Sequence, residues 1–186
     1  FLRIPWAYIE PQEDVYNWAV LDAPIRRWAE AGKRSALAIT CAESWLKFAT
    51  PKWVHDAGAE GYFMDWGGPI SEHGSLWEPD YDDRIFQEKL ADFLTALANR
   101  YDGAPEIEFI QIASFGTWGE GHTFGMSEKP YSADTIKTHI DLHTARFQES
   151  QLVIGDDTSL QGRGTGVLDY ARARGITLRD DSILVQ

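Results

Sequence analysis

The stretch of sequence that decides the fold reads Glu108-Phe109-Ile110-Gln111-Ile112-Ala113-Ser114-Phe115-Gly116-Thr117-Trp118-Gly119-Glu120-Gly121-His122. Its first part is short, apolar and β-branched, which predicts a buried parallel strand rather than a helix. Its second part is rich in glycine, which predicts a loop that turns sharply and lets a ligand approach. A strand-end loop with the carboxylate of Glu120 beside the indole of Trp118 fits a general acid that acts on a sugar. The alternative is a tight turn whose Trp packs on the core and whose Glu is solvated.

Short apolar runs and helical patterns alternate on both sides of this stretch. The predicted strands cover residues 1–8, 35–40, 108–112, 152–157 and 176–182. The predicted helices cover about 19–31, 81–100, 132–149 and 167–174, with Ser132 as a helix N-cap. Such alternation indicates parallel βαβ units, so we expect one α/β domain over residues 1–186 with all strands parallel. The first strand lacks a glycine-rich phosphate motif, which disfavours a dinucleotide-binding fold.

Residues 44–80 form a long region without a clear periodic pattern, rich in tryptophan and glycine. Long loops in compact domains are usually functional or disordered, and aromatic residues argue against disorder. We therefore predict a binding loop in which Trp53 and Trp66 stack on sugar rings together with Trp118. Trp6 is a further candidate for such stacking. The alternative for each indole is a place in the core.

Polar side chains gather where the predicted strands end, which is where parallel α/β folds place their sites. These side chains are Glu43, Glu120, Asp156, Asp157, Asp180 and Asp181. We predict that a carbohydrate substrate is bound by Trp6, Glu43, Trp53, Trp66, Trp118, His122, Asp157, Arg179 and Asp181.

Composition restricts the possible partners. The formal net charge is −12, which disfavours nucleic acid and anionic membranes because both require basic patches. The single cysteine, Cys41, excludes an internal disulfide and a cysteine-rich metal site. We expect no cofactor, and the compartment in which the protein works stays open.

A metal site is the less favoured interpretation of two patterns. His139 and His143 have the i, i+4 spacing of helical metal ligands, but no Glu-rich motif accompanies them and their helix looks peripheral. The aspartate pairs at 156–157 and 180–181 suit sugar hydroxyl groups better than a divalent cation. We therefore predict no metal.

Several short motifs resemble the clan A glycoside hydrolases, in particular the family 42 β-galactosidases and their bacterial relatives. The motifs similar to the second barrel unit are Arg3-Ile4-Pro5-Trp6, Ile9-Glu10-Pro11, Tyr16-Asn17-Trp18 and Leu21-Asp22. Those similar to the third unit are Thr50-Pro51-Lys52-Trp53 and Asn99-Arg100-Tyr101-Asp102. The resemblance implies a partial (β/α)₈ barrel containing about strands two to six.

The resemblance also implies a retaining mechanism with two glutamates. Glu120 matches the acid/base position after strand four, and Arg3 matches the arginine that hydrogen-bonds the nucleophile. The nucleophile would follow strand seven, outside this chain. One departure is clear, because the family acid/base normally follows an asparagine, whereas Gly119 precedes Glu120. An alternative alignment of the strand puts Phe115 at the acid/base position.

The predicted function is that of a retaining, β-galactosidase-like glycosidase that is inactive as this chain alone. Two alternatives stay open: a non-catalytic carbohydrate-binding or scaffold barrel, and an inverting or metal-dependent hydrolase that uses the paired aspartates. Five strands without closure leave two open sheet edges. We therefore expect more chain at both termini, or an oligomeric partner, to cover these edges.

Overall fold

The structure is a computed structural model that describes residues 1–180 of the chain. Its elements in chain order are β1 (Leu2–Pro5), α1 (Trp6–Ile9), α2 (Ala19–Glu30), β2 (Ser35–Thr40), α3 (Lys52–Asp56), β3 (Gly61–Met64), β4 (Leu76–Pro79), α4 (Arg84–Tyr101), β5 (Ile107–Gln111), α5 (Ala133–Thr144), β6 (Leu152–Gly155), α6 (Gly166–Arg172) and β7 (Thr177–Arg179). A 3₁₀ turn, Asp156–Ser159, follows β6. The predicted strand 176–182 is described as far as Asp180, and the predicted site residue Asp181 lies outside the described residues.

Five strands form one parallel sheet in the order β1-β2-β5-β6-β7. Each strand lies beside the one that precedes it among these five, and every pairing is parallel. A doubly wound sheet would reverse its order at a switch point, whereas a barrel adds each strand next to the last. The predicted α/β fold of the partial-barrel type is therefore confirmed.

Helix α4 supplies the largest buried helical stripe. Phe86, Leu90, Phe93, Leu94 and Leu97 are all at most 2% exposed. Their spacing repeats every three or four positions, so they lie on one face of the helix. Burying each such side chain contributes roughly 1.5–3 kcal/mol to folding. The predicted helix at 81–100 thus exists because this stripe packs on the sheet.

Side-chain caps define the beginnings of two helices. The carboxylate of Asp83 accepts a hydrogen bond from the Phe86 backbone N–H at 2.8 Å, at the start of α4. The Ser132 hydroxyl accepts one from Thr135 N–H at 3.3 Å, at the start of α5. Such caps satisfy N–H groups that have no partner within the helix. The N-cap predicted at Ser132 is confirmed.

The predicted loop at 44–80 contains regular structure, so the expectation that all strands are parallel is wrong here. After helix α3, strands β3 and β4 form an antiparallel hairpin with Phe63 opposite Trp77. A side-chain carbon on Gly61 would lie 2.6 Å from the Trp77 indole, so glycine allows this pairing to close. Part of the aromatic content of this region therefore stabilises a hairpin, through Phe63 and Trp77, rather than binding sugar. Cross-strand packing, which only the folded chain brings about, explains the missed strands.

Helix α5 is not peripheral, as its sequence suggested. His139 is fully buried and His143 is 3% exposed, on the same face as Ile136 and Ile140. The spacing 136, 139, 140, 143 is that of a core stripe, in which histidine replaces an apolar residue. Burial lowers the pKa of His139 to about 3 and that of His143 to about 4. These histidines are therefore neutral core residues.

A membrane-spanning helix needs about twenty apolar residues, and no helix within residues 1–180 meets this requirement.

Candidate functional site

Charged side chains meet near the carboxyl ends of β1, β2, β5 and β6. We call this group the open cluster; its members are Arg3, Glu43, Glu120, His122 and Asp157. Arg3 projects from β1, with Nη1 3.5 Å from Glu120 Oε1 and Nε 3.8 Å from Glu43 Oε1. Because the carboxyl ends of parallel strands meet at one edge, residues distant in sequence become neighbours here.

Glu43 is the buried member of the open cluster, with 1% of its surface exposed. Its Oε1 accepts a hydrogen bond from the hydroxyl of Thr40, the last residue of β2, at 2.7 Å. Its Oε2 accepts one from the Trp45 indole N–H at 3.1 Å. A buried carboxylate is stable only when its oxygens are paired in this way. Glu43 thus anchors Trp45 beside Arg3.

His122 bridges two carboxylates. Its Nε2 lies 3.6 Å from Glu120 Oε2 and 4.0 Å from Asp157 Oδ2. Its Nδ1 accepts a hydrogen bond from the Phe124 backbone N–H at 3.2 Å. A neutral imidazole that accepts at Nδ1 carries its proton on Nε2, so this proton faces the carboxylates.

The electrostatic balance of the open cluster is acidic. Three carboxylates surround one permanent cation, Arg3, and one imidazole. A concentration of negative charge suits a reaction whose transition state resembles an oxocarbenium cation. Glu120 also remains accessible, with 26% of its side chain exposed.

The loop after β5 has a backbone that few residues tolerate. Gly121 has a φ of +94°, and a side chain there would lie 2.7 Å from the Thr158 backbone N. Trp118 has a φ of +56° although it is not glycine. Its backbone N–H donates to Ala42 O at 2.9 Å and its indole N–H to Ser44 Oγ at 3.1 Å. These bonds hold a strained residue at the cleft, which is typical of functional loops.

Two aromatic pairs flank the open cluster. The rings of Trp66 and Trp118 are 5.2 Å apart, and Trp66 is 45% exposed. The second pair, Tyr8 and Trp45, has ring centroids 6.2 Å apart, and both rings are exposed. This second pair was not predicted as part of the site. Its only signal was that Trp45 follows Glu43 by two positions.

The prediction that Trp6 belongs to the sugar site is wrong. This residue is fully buried, and its ring stacks on Phe93 at 5.0 Å. Trp53 packs edge-on against it at 5.8 Å and donates its indole N–H to the Glu10 carbonyl. These contacts assign Trp6 and Trp53 to the packing between α1, α3 and α4 rather than to the cleft.

Arg179 is the last residue of β7, the edge strand of the sheet. Its Nη1 donates to Gln111 Oε1 at 2.6 Å, and its guanidinium lies 4.7 Å from the centroid of the Phe1 ring. Gln111 ends β5 and is 4% exposed. It was not predicted, because an isolated glutamine in a strand carries no pattern.

A second polar group lies behind Phe115, whose ring is 4.5 Å from that of Tyr81. We call it the sealed cluster; its members are Glu78, Tyr81, Tyr131 and His139. Glu78 Oε2 accepts a hydrogen bond from Ser127 N–H at 2.9 Å. Burial raises the pKa of Glu78 to about 7.

Three buried atoms of the sealed cluster have no hydrogen-bond partner within residues 1–180. They are Glu78 Oε1, the Tyr81 hydroxyl and His139 Nε2. The same part of the chain contains no group of three or more histidine, cysteine or acidic side chains able to hold a metal ion. The sealed cluster is therefore a buried polar group in which burial favours the neutral forms of Glu78 and His139.

Parallel strands in barrel order define a fragment of a (β/α)₈ barrel with carboxylates at the carboxyl ends of its strands. The chain belongs to glycoside hydrolase family 42, whose β-galactosidase model matches residues 2–116. This match ends before Glu120. A comparison with curated protein sequences finds no significant match.

Three solved structures have a similar fold. The β-galactosidase from the psychrophilic Marinomonas ef1 matches with a TM-score of 0.59 and 14% identity, over 83% of this chain and 32% of its own. The polyextremophilic β-galactosidase from the Antarctic haloarchaeon Halorubrum lacusprofundi matches with a TM-score of 0.57 and 14% identity, over 83% and 31%. Native CbXyn10B matches with a TM-score of 0.52 and 13% identity, over 95% and 49%. The chain thus spans about a third of the two β-galactosidases.

Proposed function

We propose that this chain is the part of a retaining, β-galactosidase-like glycosidase that supplies the general acid/base, Glu120. The substrate is an oligo- or polysaccharide with an O-glycosidic bond to be cleaved. The observation that carries the proposal is the position of Glu120, accessible at the strand ends between Arg3 and the Nε2 of His122.

In this proposal Glu120 acts twice. It first donates its proton to the glycosidic oxygen while the nucleophile attacks the anomeric carbon, and a glycosyl-enzyme forms. It then removes a proton from the water that hydrolyses this intermediate. The nucleophile is a carboxylate outside residues 1–186. Arg3, which reaches both Glu43 and Glu120, is available to hydrogen-bond it.

The alternative acid/base position, Phe115, carries no ionisable group and is 3% exposed within an aromatic cluster. The loop turns back on itself, because Thr117 N–H donates to His122 O at 2.7 Å and Gly119 N–H to Gly116 O at 3.1 Å. This fold-back supports the interpretation that a longer loop carries the acid/base to the cleft.

The aromatic pairs support a carbohydrate substrate. Flat rings at Trp66, Trp118, Tyr8 and Trp45 offer apolar faces next to hydrogen-bonding carboxylates, as a pyranose requires. We propose that His122 and Asp157 bind sugar hydroxyl groups, whereas the predicted ligand Glu43, 1% exposed and paired at both oxygens, holds Trp45 in place instead. Arg179 is proposed to act farther along the sheet, and Asp181 remains a proposed ligand from the sequence alone.

The test compares Glu120→Gln with Glu128→Gln in the full-length protein, since Glu128 is an exposed glutamate on the same loop. We expect Glu120→Gln to lower hydrolysis of natural glycosides by about 10²-fold or more, because general acid catalysis contributes about that much. Aryl glycosides with good leaving groups should lose less, and azide should restore their turnover by attacking the glycosyl-enzyme.

Glu128→Gln should keep wild-type kinetics. If Glu120→Gln also retains full activity on a natural glycoside, Glu120 is not the acid/base. If the wild-type protein binds oligosaccharides without hydrolysing them, the non-catalytic carbohydrate-binding function is correct instead.

A further inference from the structure

Two loops meet at the open cluster. The loop after β5 carries Glu120 and His122, and the segment after β6 carries Asp157. The loops touch at Gly121, where a side chain would collide with the Thr158 backbone. Because His122 lies between carboxylates from both loops, its position depends on how the loops are held together.

Arg163 joins the two loops through their backbones. Its Nη2 donates to the carbonyl of Gly121, and its Nε donates to the carbonyl of Thr158 at 2.6 Å. Nη2 also lies 3.4 Å from the Asp157 carbonyl, and the guanidinium lies 5.4 Å from the centroid of the Phe115 ring. A planar guanidinium carries five donors spread over a fork and can reach carbonyls that lie apart, whereas the three donors of a lysine ammonium all sit on one atom.

A neighbouring glutamine makes a second, weaker connection. Gln161 Nε2 donates to Thr123 Oγ1 at 2.9 Å, and its Oε1 accepts from the Thr123 backbone N–H at 3.1 Å. Arg163 Nη1 is 3.4 Å from the same Oε1. The Arg163 guanidinium thus lies at the centre of the contact between the loops, and the bonds of Gln161 extend this contact toward Thr123.

We propose that Arg163 is a positioning residue, whose guanidinium bridges the Gly121 and Thr158 carbonyls and thereby fixes the His122 imidazole between Glu120 and Asp157. The peptide of Gly121 lies between Glu120 and His122, so its rotation would move both side chains. A displacement of about 1 Å at a reacting group can lower a rate by about 10²-fold. The effect on rate rests on the proposed function of Glu120.

The experiment compares Arg163→Met with Arg146→Met in the full-length protein. Arg146 is the matched control, because it also donates to backbone carbonyls, with Nε 2.8 Å from Ala91 O and Nη1 2.8 Å from Leu142 O. It joins α4 to the end of α5, away from the open cluster. Steady-state kinetics, the pH–rate profile and amide hydrogen exchange are measured for both variants.

We expect Arg163→Met to lower kcat by about 10-fold or more and to change KM less than about 3-fold, since the loss falls on the transition state. The pH–rate profile should shift, and amide exchange at 121–124 should accelerate. Guanidinium ions, added far below denaturing concentrations, should partly restore kcat of Arg163→Ala. Arg146→Met should lower only the unfolding midpoint.

Unchanged kcat, pH profile and 121–124 exchange in a folded Arg163→Met protein would overturn the positioning role. An equal loss of kcat in Arg146→Met would also overturn it, because general destabilisation would then explain both variants. A wild-type protein that hydrolyses no glycoside contradicts the proposed function instead. In that case, the exchange at 121–124 still decides whether Arg163 holds the loop.

Discussion

The loop after β5 contributes to both the open and the sealed cluster, and the ionisable groups of the two clusters lie in different environments. In the open cluster, Arg3 and His122 stand beside carboxylates, and Glu120 keeps contact with solvent. In the sealed cluster, Glu78 is fully buried, and burial raises its pKa to about 7. The carboxyl group with the most altered environment is therefore not the one at the cleft.

This difference teaches that the most deeply buried carboxyl group and the carboxyl groups gathered at the strand ends lie in different parts of the fold. Burial is the largest cause that favours the neutral forms of Glu78 and His139, and Glu78 Oε1 and His139 Nε2 have no hydrogen-bond partner within residues 1–180. In the open cluster, Arg3 on β1 pairs with Glu43 and Glu120 from the loops after β2 and β5. We expect changes to the open cluster to alter activity and changes to the sealed cluster to alter stability, and three measurements test this division.

The largest expected effect is acid destabilisation through the buried histidines of α5. The folded-state pKa values of His139 and His143 are lowered from 6.5 to about 3 and about 4, so the native state binds fewer protons than the unfolded state. The stabilising effect of keeping both histidines neutral is complete above pH 6.5, and the free energy of unfolding falls as the pH drops from 6.5 toward 4. Between pH 7 and 5 the loss is about 2 kcal/mol for each histidine.

Urea unfolding of the full-length protein at both pH values measures this loss. His139→Asn/His143→Asn removes both titrating groups, so its stability should fall less between pH 7 and 5 than that of the wild type. An equal fall in the two proteins would show that the sealed interior does not cause the acid sensitivity.

The next effect has the opposite pH dependence and concerns Glu78. Its folded-state pKa is raised from 4.5 to about 7, so Glu78 costs the fold little below pH 4.5, where it is neutral in both states, and the free energy of unfolding decreases as the pH rises through 7. Glu78→Gln stays neutral and keeps an oxygen for the Ser127 N–H. At pH 8 we expect this variant to be more stable than the wild type by about 3 kcal/mol in urea unfolding.

The comparison variant is Glu120→Gln in the open cluster. It should change the free energy of unfolding by less than about 1 kcal/mol, because its ion pair is partly exposed. If Glu120→Gln raised the free energy of unfolding at pH 8 as much as Glu78→Gln does, the clusters would not differ in the way argued.

The smallest effect belongs to the aromatic edge of the open cluster. Trp66→Ala should raise KM for oligosaccharides about 3- to 10-fold with little change in kcat, because stacking contributes to substrate and transition state alike. Trp28→Ala is the matched control, since Trp28 is a similarly exposed indole on α2. Equal KM values for the two variants would remove Trp66 from the substrate site.

The regular elements were the predictable part of the fold. The apolar run before Gln111, the α4 stripe and the cap at Ser132 are local patterns, and each element forms where its pattern lies. The hairpin β3–β4 was missed because its stability comes from contacts across the pair, such as Phe63 opposite Trp77. Helix α5 was expected to be peripheral because two histidines looked incompatible with a core face, yet His139 and His143 lie on its buried stripe.

The sequence by itself determined the alternation of strands and helices, the family resemblance and the presence of carboxylates at strand ends, because these are local properties of the chain. Only the tertiary structure decided which tryptophans are core, as Trp6 is, and which are exposed, as Trp66 is. It also decided that Arg3, Glu43 and Glu120 are neighbours and that Arg163 bridges two loops. The physical reason is that burial and charge pairing depend on residues far apart in sequence, which meet only when parallel strands align their carboxyl ends.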